Sequence, residues 1–461
     1  MMPLTLAQVA TIAGGRVDGD DRIVVDTVGI DTRTIPRGAL FVALTGTRDG
    51  HAFLADALTR DAAAALVRGD AAVPAGLAAI RVPDPFTALT ALAADARDRT
   101  KARVVAITGS SGKTCTKDFT AAVLSPAMPT AASVASFNNE IGVPLTILSV
   151  RDDTEALVVE IGARGAGHIA ALMPLARPDV SVVTNVGDAH AGMFGSADAI
   201  AVAKGEIVEA LGRDGCAILN ADDERVAAMA SRTAAAVVTF GGSPAADVRA
   251  ERISLDDDAR AHFTLVCEAG RAGVTLPVPG EHMVWNALAA AAVALQFGLD
   301  VEAIARTLGS VTTSPHRMRI VDAPGGWRVV DDTYNASPQS MAAALKTLAL
   351  LGRGRRTWAV LGQMAELGRG STEAHDRVGR LAVRLGVGRV VTVGPEARPL
   401  HEAARLEGMS PEDAIVAADA AEAAVFVRGA VEPGDVVLVK ASRVAGLERV
   451  VDALVAEEGT A

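Results

Sequence analysis

Cysteine is scarce in this sequence. Its 461 residues include three cysteines, Cys115, Cys216 and Cys267, which stand far apart. So few cysteines exclude a disulfide framework, and their separation excludes the close spacing of a structural zinc site. A sparse, odd count is typical of a reducing compartment, so we expect a cytoplasmic protein.

The sequence also lacks a net positive charge, and none of its apolar stretches reads as a membrane span. The formal net charge is −11, which disfavours nucleic acid and anionic membranes as partners. A long uncharged stretch, 282–299, is rich in alanine but includes Asn286 and Gln296, which favours a buried helix over a membrane span. The first residues resemble no signal peptide. We expect no nucleic-acid binding, no membrane insertion and a monomer.

Aromatic residues form only 3% of the chain, whereas alanine and valine abound. This composition is typical of α/β packing with small side chains, and the length is too great for one core. A polar run at 97–101 and the sequence TTSP at 312–315 indicate linkers. We therefore predict three α/β domains, at 1–100, 101–313 and 314–461. In the first, 40–44 is predicted as a strand and 52–67 as helical.

A glycine-rich segment carries the strongest functional signal. Residues 108–114 read TGSSGKT, after the apolar run 104–107 and before a predicted helix, 115–124. This order directs backbone N–H groups and a helix N-terminus toward an anion. Lys113 can reach terminal phosphates and the Thr114 hydroxyl can bind Mg²⁺. The spacing is shorter than the general phosphate-loop pattern, so the alternative is an ordinary turn; the flanking strand and helix favour an ATP site.

Further apolar strands alternate with helix-length segments after residue 103. The runs 156–161, 180–183 and 217–219 predict a parallel sheet covered on both faces, whereas 245–279 alternates and predicts an antiparallel excursion. Ligands bind beyond the carboxyl ends of such strands. Glu160, Asn185 and Asn220 lie at or near those ends. Beside a phosphate loop, Glu160 becomes a Mg²⁺ candidate, although alone it is as readily a strand-end residue.

Other polar residues are weak signals individually. His190 follows a buried strand, Lys204 is predicted to begin a helix, and Asp331–Asn335 places two acids beside a polar loop. Each has an ordinary structural interpretation. Together with the glycine-rich loop, their order and spacing resemble the ATP-dependent muramyl (Mur) ligase family along nearly the whole chain. The matching segments are 108–114, 138–144, 159–163, His190, 203–206, 280–287, Arg317 and 332–336.

The resemblance implies a three-domain ligase: a small UDP-binding domain, a central P-loop ATPase domain and a C-terminal Rossmann-like domain. Segments 31–46, 362–368 and 440–443 resemble the branch that joins D-alanyl-D-alanine to UDP-N-acetylmuramoyl-tripeptide through an acyl phosphate in peptidoglycan synthesis. The Asp-Asn-Pro-Arg motif of a sister branch does not occur. Gln363, Ala441 and His316 depart from residues usual in the family, which bears on how the dipeptide is received.

The resemblance also assigns roles to residues. Lys113, Glu160, His190 and Lys204 are the expected catalytic residues. Two Mg²⁺ ions are expected, with Thr114, Glu160, His190 and Lys204 as ligands, the lysine as a carbamate. ATP is expected at Thr108, Gly109, Ser110, Ser111, Gly112, Lys113, Thr114, Asn286, Arg317, Asp332 and Asn335. The UDP-muramoyl-tripeptide and the dipeptide are expected at Asp31, Thr32, Arg33, Thr45, Gly46, Asn138, Asn139, Lys440, Ser442 and Arg443.

Three alternatives remain open on the sequence. A related ligase could add a different amine, and Gln363 and Ala441 keep that possibility open. Folylpolyglutamate synthase would leave the N-terminal domain unexplained. A P-loop protein that uses ATP only as a switch would hydrolyse it slowly, whatever amine is present, and would give Glu160, His190 and Lys204 no joint purpose.

Overall fold

The computed structural model describes residues 1–187 and 191–456, and the chain forms two compact units. The first unit contains Met1–Ala106, Leu124–Gly162 and Ile169–Val180. The second contains Ile107–Val123, Ala163–His168 and the chain from Ser181 onward. None of the helices in the described ranges is both long and apolar enough to span a membrane.

The elements before residue 103 belong to the first unit. They are β1 (Leu4–Thr5), α1 (Leu6–Ala13), β2 (Arg16–Asp18), β3 (Val24–Val25), β4 (Val28–Gly29), β5 (Leu40–Val42), α2 (Leu54–Thr59), β6 (Ala64–Arg68), β7 (Ala78–Val82) and α3 (Pro85–Arg99). Strands β2-β7-β6-β5-β4 form a sheet in that order, parallel except for β2.

One prediction for this region was wrong. The alanine-rich stretch 52–67 was expected to be helical, but its helical part, a 3-10 turn followed by the α-helix Leu54–Thr59, ends at Thr59, and Ala64–Arg68 is a strand. Strand β6 lies between two parallel neighbours, and its first four residues are fully buried. A strand buried on both faces shows no alternation, so a short apolar run does not distinguish it from a buried helix.

The next elements along the chain lie between residues 103 and 308. They are β8 (Arg103–Thr108), α4 (Lys113–Leu124), β9 (Thr130–Ala132), α5 (Gly142–Ile147), β10 (Ala156–Glu160), α6 (His168–Ala176), β11 (Val180–Val183), α7 (Ala191–Phe194), α8 (Ala197–Glu209), β12 (Cys216–Asn220), α9 (Glu224–Ala227), β13 (Ala236–Gly241), β14 (Val248–Leu255), β15 (Arg260–Cys267), β16 (Gly270–Pro279), α10 (Met283–Gln296) and α11 (Val301–Leu308).

These strands confirm a parallel sheet with an antiparallel excursion. Strands β9 and β10 are parallel within the first unit, and β12, β13 and β14 are parallel within the second. Strands β14, β15 and β16 are antiparallel, as predicted for 245–279. Helix α10 is almost wholly buried, as expected for an alanine-rich segment without charge.

The remaining elements form the C-terminal sheet and its helices. They are β17 (Arg319–Asp322), β18 (Arg328–Asp332), α12 (Pro338–Leu351), β19 (Thr357–Leu361), α13 (Ser371–Arg384), β20 (Arg389–Val393), α14 (Arg398–Leu406), β21 (Ala414–Ala417), α15 (Ala420–Ala430), β22 (Val436–Lys440) and α16 (Glu448–Val455). The strand order is β17-β18-β22-β19-β20-β21, parallel except for β17. Its apolar core is centred on Trp358. The α/β fold class is confirmed.

Candidate active site

The glycine-rich loop joins β8 to α4, as the sequence predicted. Gly109 and Gly112 have φ of +153° and +78°, conformations that L side chains rarely adopt. A Cβ at Gly109 would lie 1.8 Å from Oγ1 of Thr184, and a Cβ at Gly112 would lie 2.5 Å from Oδ1 of Asn286. Both positions therefore need glycine. The Lys113 ammonium donates to the Gly109 carbonyl at 2.9 Å, so its charge lies across the loop.

The end of β11 holds this loop in place. The Thr184 hydroxyl donates to the Ser111 carbonyl at 2.6 Å, and the Ser111 N–H donates to Oδ1 of Asn185 at 2.9 Å. The Ser110 N–H donates to the Asn185 carbonyl at 3.0 Å. The Ser110 hydroxyl and the Gly187 backbone also bond to each other. Sequence reasoning noted Asn185 as a strand-end residue but missed Thr184, whose only signal was a polar residue at a strand end.

Asn286 lies beside the first turns of α4. It is 6% exposed, and its Oδ1 accepts a hydrogen bond from the Thr116 hydroxyl at 3.2 Å. The close approach of Gly112 to the same oxygen places Asn286 against the loop. The structure thus brings together the glycine-rich loop and Asn286, which the sequence placed more than 160 residues apart. This arrangement fits a nucleotide whose phosphates bind at the N-terminus of α4.

Lys204 is deeply buried in the second unit. It lies in the middle of α8 and is 2% exposed, so the expectation that it begins a helix was wrong. Ser196 caps that helix eight residues earlier. Burial, with a smaller effect from the charge of Lys113, lowers the pKa of Lys204 well below its usual range. A lysine in this environment is neutral more readily, and the neutral amine is the form that reacts with carbon dioxide.

Glu160 ends β10 in the first unit and is 1% exposed. One of its carboxylate oxygens accepts a hydrogen bond from the Asn138 amide at 2.7 Å, and its N–H donates to the Ser133 hydroxyl at 3.0 Å. The Asn138 carbonyl accepts the Gly162 N–H at 2.7 Å. Asn138 thus positions the Glu160 carboxylate. Oδ1 of Asn139 accepts the Gly142 N–H at the start of α5, a capping role.

The expected metal ligands are only partly described. His190 lies outside the described residues. Within the ranges 1–187 and 191–456, no group of three His, Cys, Asp or Glu side chains is arranged to hold a metal ion. The expected ligands are Thr114, Glu160, His190 and a carbamate on Lys204. Because only two of these are His, Cys, Asp or Glu, that result does not bear on them. Thr114 is 2% exposed in the first turn of α4.

Arg317 lies in a strained segment just before β17, at the start of the C-terminal sheet. His316 and Met318 have φ of +64° and +51°, in the left-handed region. The Arg317 guanidinium lies 4.4 Å from the centre of the Tyr334 ring, and Arg443 lies 6.0 Å from it. The quadrupole of an aromatic ring attracts a cation that lies over the face of the ring. Tyr334, the single tyrosine of the chain, therefore joins two residues that the sequence assigned to different ligands.

Asp332 and Lys440 form a buried ion pair. They are directly opposed in the parallel strands β18 and β22, with Nζ of Lys440 2.6 Å from Oδ2 of Asp332. The Lys440 ammonium also donates to the Asn335 carbonyl at 2.8 Å, and Lys440 is 1% exposed. The other Asp332 oxygen accepts the Met318 N–H at 3.2 Å. Burial raises the pKa of Asp332, although the Lys440 charge opposes that shift.

The segment after β22 contacts the loop after β19. The Ser442 hydroxyl accepts the Ala365 N–H at 2.9 Å, and the Ser442 N–H donates to the Gln363 carbonyl at 2.9 Å. Ser442 is 4% exposed, whereas Arg443 is exposed. Two of the residues that depart from the family pattern, Gln363 and Ala441, therefore lie in or beside these contacts.

The expected uridine-side residues lie in the first unit. Asp31 and Arg33 form a bidentate pair with atoms as close as 2.6 Å, and the Arg33 side chain is 86% exposed. The guanidinium of Arg33 lowers the pKa of Asp31. Thr32 is buried between them. Thr45 pairs with Asp49 in a turn around Gly46, whose N–H donates to the Arg48 carbonyl at 3.2 Å.

Comparisons with known proteins cover the whole chain. Residues 107–294 match the Mur ligase middle domain, and residues 316–443 match the Mur ligase glutamate ligase domain. The chain is 44% identical to the UDP-N-acetylmuramoyl-tripeptide–D-alanyl-D-alanine ligase of Mycobacterium bovis, over 99% of both chains. It is 38% identical to the ligase of the same name from Escherichia coli, over 100% of both.

Solved structures agree with the sequence comparison. A crystal structure of MurF from Acinetobacter baumannii superposes with a TM-score of 0.83 at 31% identity, covering 99% of both chains. MurF from Thermotoga maritima, in complex with ADP, superposes with a TM-score of 0.76 at 28% identity, over 93% of this chain and 96% of that one. The likeness thus extends over all three predicted regions.

Proposed function

This chain belongs to the Mur ligase family, and on that premise we propose that it joins D-alanyl-D-alanine to UDP-N-acetylmuramoyl-tripeptide with ATP. The product is a peptidoglycan precursor, and the by-products are ADP and phosphate. The observation that carries the proposal is the 44% identity to a ligase of this name over 99% of both chains. That identity includes the N-terminal region, which neither a folylpolyglutamate synthase nor an ATP switch explains.

The chemistry begins with a poor electrophile. The terminal carboxylate of the tripeptide resists attack by an amine at neutral pH, and transfer of the ATP γ-phosphoryl group converts it into an acyl phosphate. The dipeptide amine then attacks the carbonyl carbon, and phosphate leaves. The protein's work is positioning and charge neutralisation, because the reagents supply the covalent chemistry.

The glycine-rich loop has a backbone and a charge that suit the phosphates of ATP. The N–H groups in the first turn of α4 are available to an anion at the N-terminus of the helix. Lys113 brings a positive charge across the loop. The ties from Thr184 and Asn185 hold the loop in one conformation, so little ordering is needed when ATP binds. We propose that Asn286 meets the base and that Arg317, Asp332 and Asn335 close over the nucleotide.

We propose that two Mg²⁺ ions bind in the site. Bound there, the ions supply charge neutralisation at the transferring phosphoryl group. Thr114 and Glu160 offer oxygen atoms, which Mg²⁺ prefers. We propose His190 and Lys204 as ligands of the second ion. Lys204 qualifies only as a carbamate, since an ammonium cannot bind a cation, and its lowered pKa favours the amine that forms one.

We propose the substrate contacts as follows. Asp31, Thr32, Arg33, Thr45 and Gly46 hold the UDP portion, and Asn138 with Asn139 lines the path of the muramoyl-peptide. Exposed Arg443, beside Ser442, meets the dipeptide carboxylate. Lys440 acts on that side through its neighbours, because its ammonium is held by Asp332 and Asn335. We propose a cytoplasmic monomer, in keeping with the expected reducing compartment.

The test is product analysis. Release of ADP and phosphate is measured with UDP-N-acetylmuramoyl-tripeptide, with and without D-alanyl-D-alanine, and the product is weighed by mass spectrometry. Turnover that needs both substrates and yields the pentapeptide mass supports the proposal. Turnover with a different amine would identify a related ligase, and hydrolysis indifferent to any amine would identify an ATP switch.

A further inference from the structure

A hydrogen bond ties the phosphate-binding helix to the segment that carries Arg317. Oδ2 of Asp118, in α4, accepts the Ser314 N–H at 2.8 Å. Asp118 follows Thr114 by four residues and so lies on the same helix face, one turn farther on. Its other oxygen, Oδ1, is 2.8 Å from Nζ of Lys117, and its side chain is only 14% exposed. Both carboxylate oxygens are therefore engaged, and the carboxylate has a fixed position.

The short segment from Ser314 to Met318 is held by hydrogen bonds at both ends. The Thr313 hydroxyl donates to the Arg317 carbonyl at 2.8 Å, and the Tyr334 N–H donates to the His316 carbonyl at 3.2 Å. The Met318 N–H reaches Asp332. The segment thus contacts α4 at its start and the end of β18 at its finish.

The backbone on either side of Arg317 is strained. His316 and Met318 both adopt positive φ, which side chains other than glycine rarely do. Such conformations persist only where surrounding contacts impose them, and they cluster at functional sites. The direction in which Arg317 points therefore depends on the contacts that fix the segment, and Asp118 supplies the contact on the side of the phosphate-binding helix.

We propose that Asp118 is a positioning residue for catalysis. It transmits the position of the phosphate-binding helix to the segment of Arg317, so that ATP in the loop sets Arg317 and the residues after it for ligation. This inference rests on the proposed function for its kinetic consequence. Pro315, which follows Ser314, has no N–H, so the next residue along the chain cannot supply a replacement donor.

Three variants separate positioning from stability. Asp118→Ala removes the acceptor, and Asp118→Asn retains an oxygen that accepts the same N–H. Asp300→Ala is the matched control, because Asp300 makes a bond of the same type to the Ala303 N–H at 2.7 Å, at the start of α11. We expect Asp118→Ala to lower kcat about tenfold, the rate equivalent of one hydrogen bond to a charged group.

The other parameters show where the defect lies. We expect the KM for the UDP-tripeptide and the affinity for ATP alone to stay within about twofold in Asp118→Ala, because the loop itself is intact. Asp118→Asn should recover kcat to within about threefold, and Asp300→Ala should lose thermal stability without losing kcat. An equal fall of kcat in Asp118→Ala and Asp300→Ala, or a fall in ATP affinity that matches the fall in kcat, would overturn the proposal.

Hydrogen–deuterium exchange tests the same coupling without turnover. ATP should slow exchange at residues 312–318 in the unaltered protein and in Asp300→Ala, but not in Asp118→Ala. Equal protection in all three proteins would overturn the proposal. Because this measurement needs no ligation, absence of turnover in the unaltered protein would refute the proposed function while leaving the coupling decided by exchange alone.

Discussion

The substitution Lys440→Met tests whether Lys440 is an interior anchor or a substrate ligand. Methionine keeps the length and apolar stem of lysine and removes the ammonium held by Asp332 and Asn335. Removing one partner of a buried ion pair costs about 3–5 kcal/mol, because the other charge stays buried without compensation. Lys440 is 1% exposed and Asp332 is 9% exposed, so solvent screening does not reduce this figure appreciably.

The pH dependence follows from Asp332. Burial already raises the pKa of its carboxyl above the unfolded value. A carboxyl of this kind binds more protons in the folded state, so stability is lost as pH rises from the unfolded pKa through the folded one. Without Lys440 the pKa rises further. The destabilisation of the variant should therefore be largest where Asp332 is ionised, and it should shrink as pH falls and the carboxyl takes up a proton.

Urea denaturation followed by tryptophan fluorescence measures the effect, since Trp327 and Trp358 both lie in the core of the C-terminal sheet. The double variant Lys440→Met/Asp332→Asn should recover most of the loss, because it removes the uncompensated charge. Unchanged stability at pH 7.5, together with a raised KM for the dipeptide alone, would refute this reasoning and make Lys440 a ligand of the dipeptide.

The other predictions concern the remaining parts of the site. Lys204→Ala should lower turnover roughly 100-fold or more, as for loss of a metal ligand; a small carboxylic acid should restore part of it, and unchanged activity in kinetic assays would exclude the carbamate. Gly109→Ala should abolish ATP binding in calorimetry, because its Cβ would overlap the Thr184 hydroxyl, whereas Gly212→Ala, which meets nothing within 4 Å, should bind normally. Arg33→Ala should raise the KM for the UDP-tripeptide and leave the free energy of unfolding nearly unchanged, because an exposed ion pair stabilises little; a large stability loss would make the pair structural.

Local patterns were sufficient for much of the fold and part of the site. Strands β8, β10, β11 and β12, the glycine-rich loop and the antiparallel excursion were all predicted, because each depends on apolar runs or glycines that are close in sequence. The errors were also local, and they include the predicted linker 97–101, whose first three residues belong to α3. The strand Ala64–Arg68 had no alternation to reveal it, and the start of α8 depended on a serine cap eight residues before Lys204.

The sequence by itself determined the α/β class and the phosphate loop, since these follow from residue types at short spacing, and it supplied the candidates for the reactive side chains. Only the tertiary structure decided what those side chains touch. Thr184 and Asn185 clamp a loop more than 70 residues earlier, Lys440 faces Asp332 across two strands, and Asp118 meets Ser314 at a separation of 196 residues. Strand order and burial create these contacts, and burial also lowers the pKa of Lys204 and raises that of Asp332. Neither strand order nor burial is encoded in any short segment of the chain.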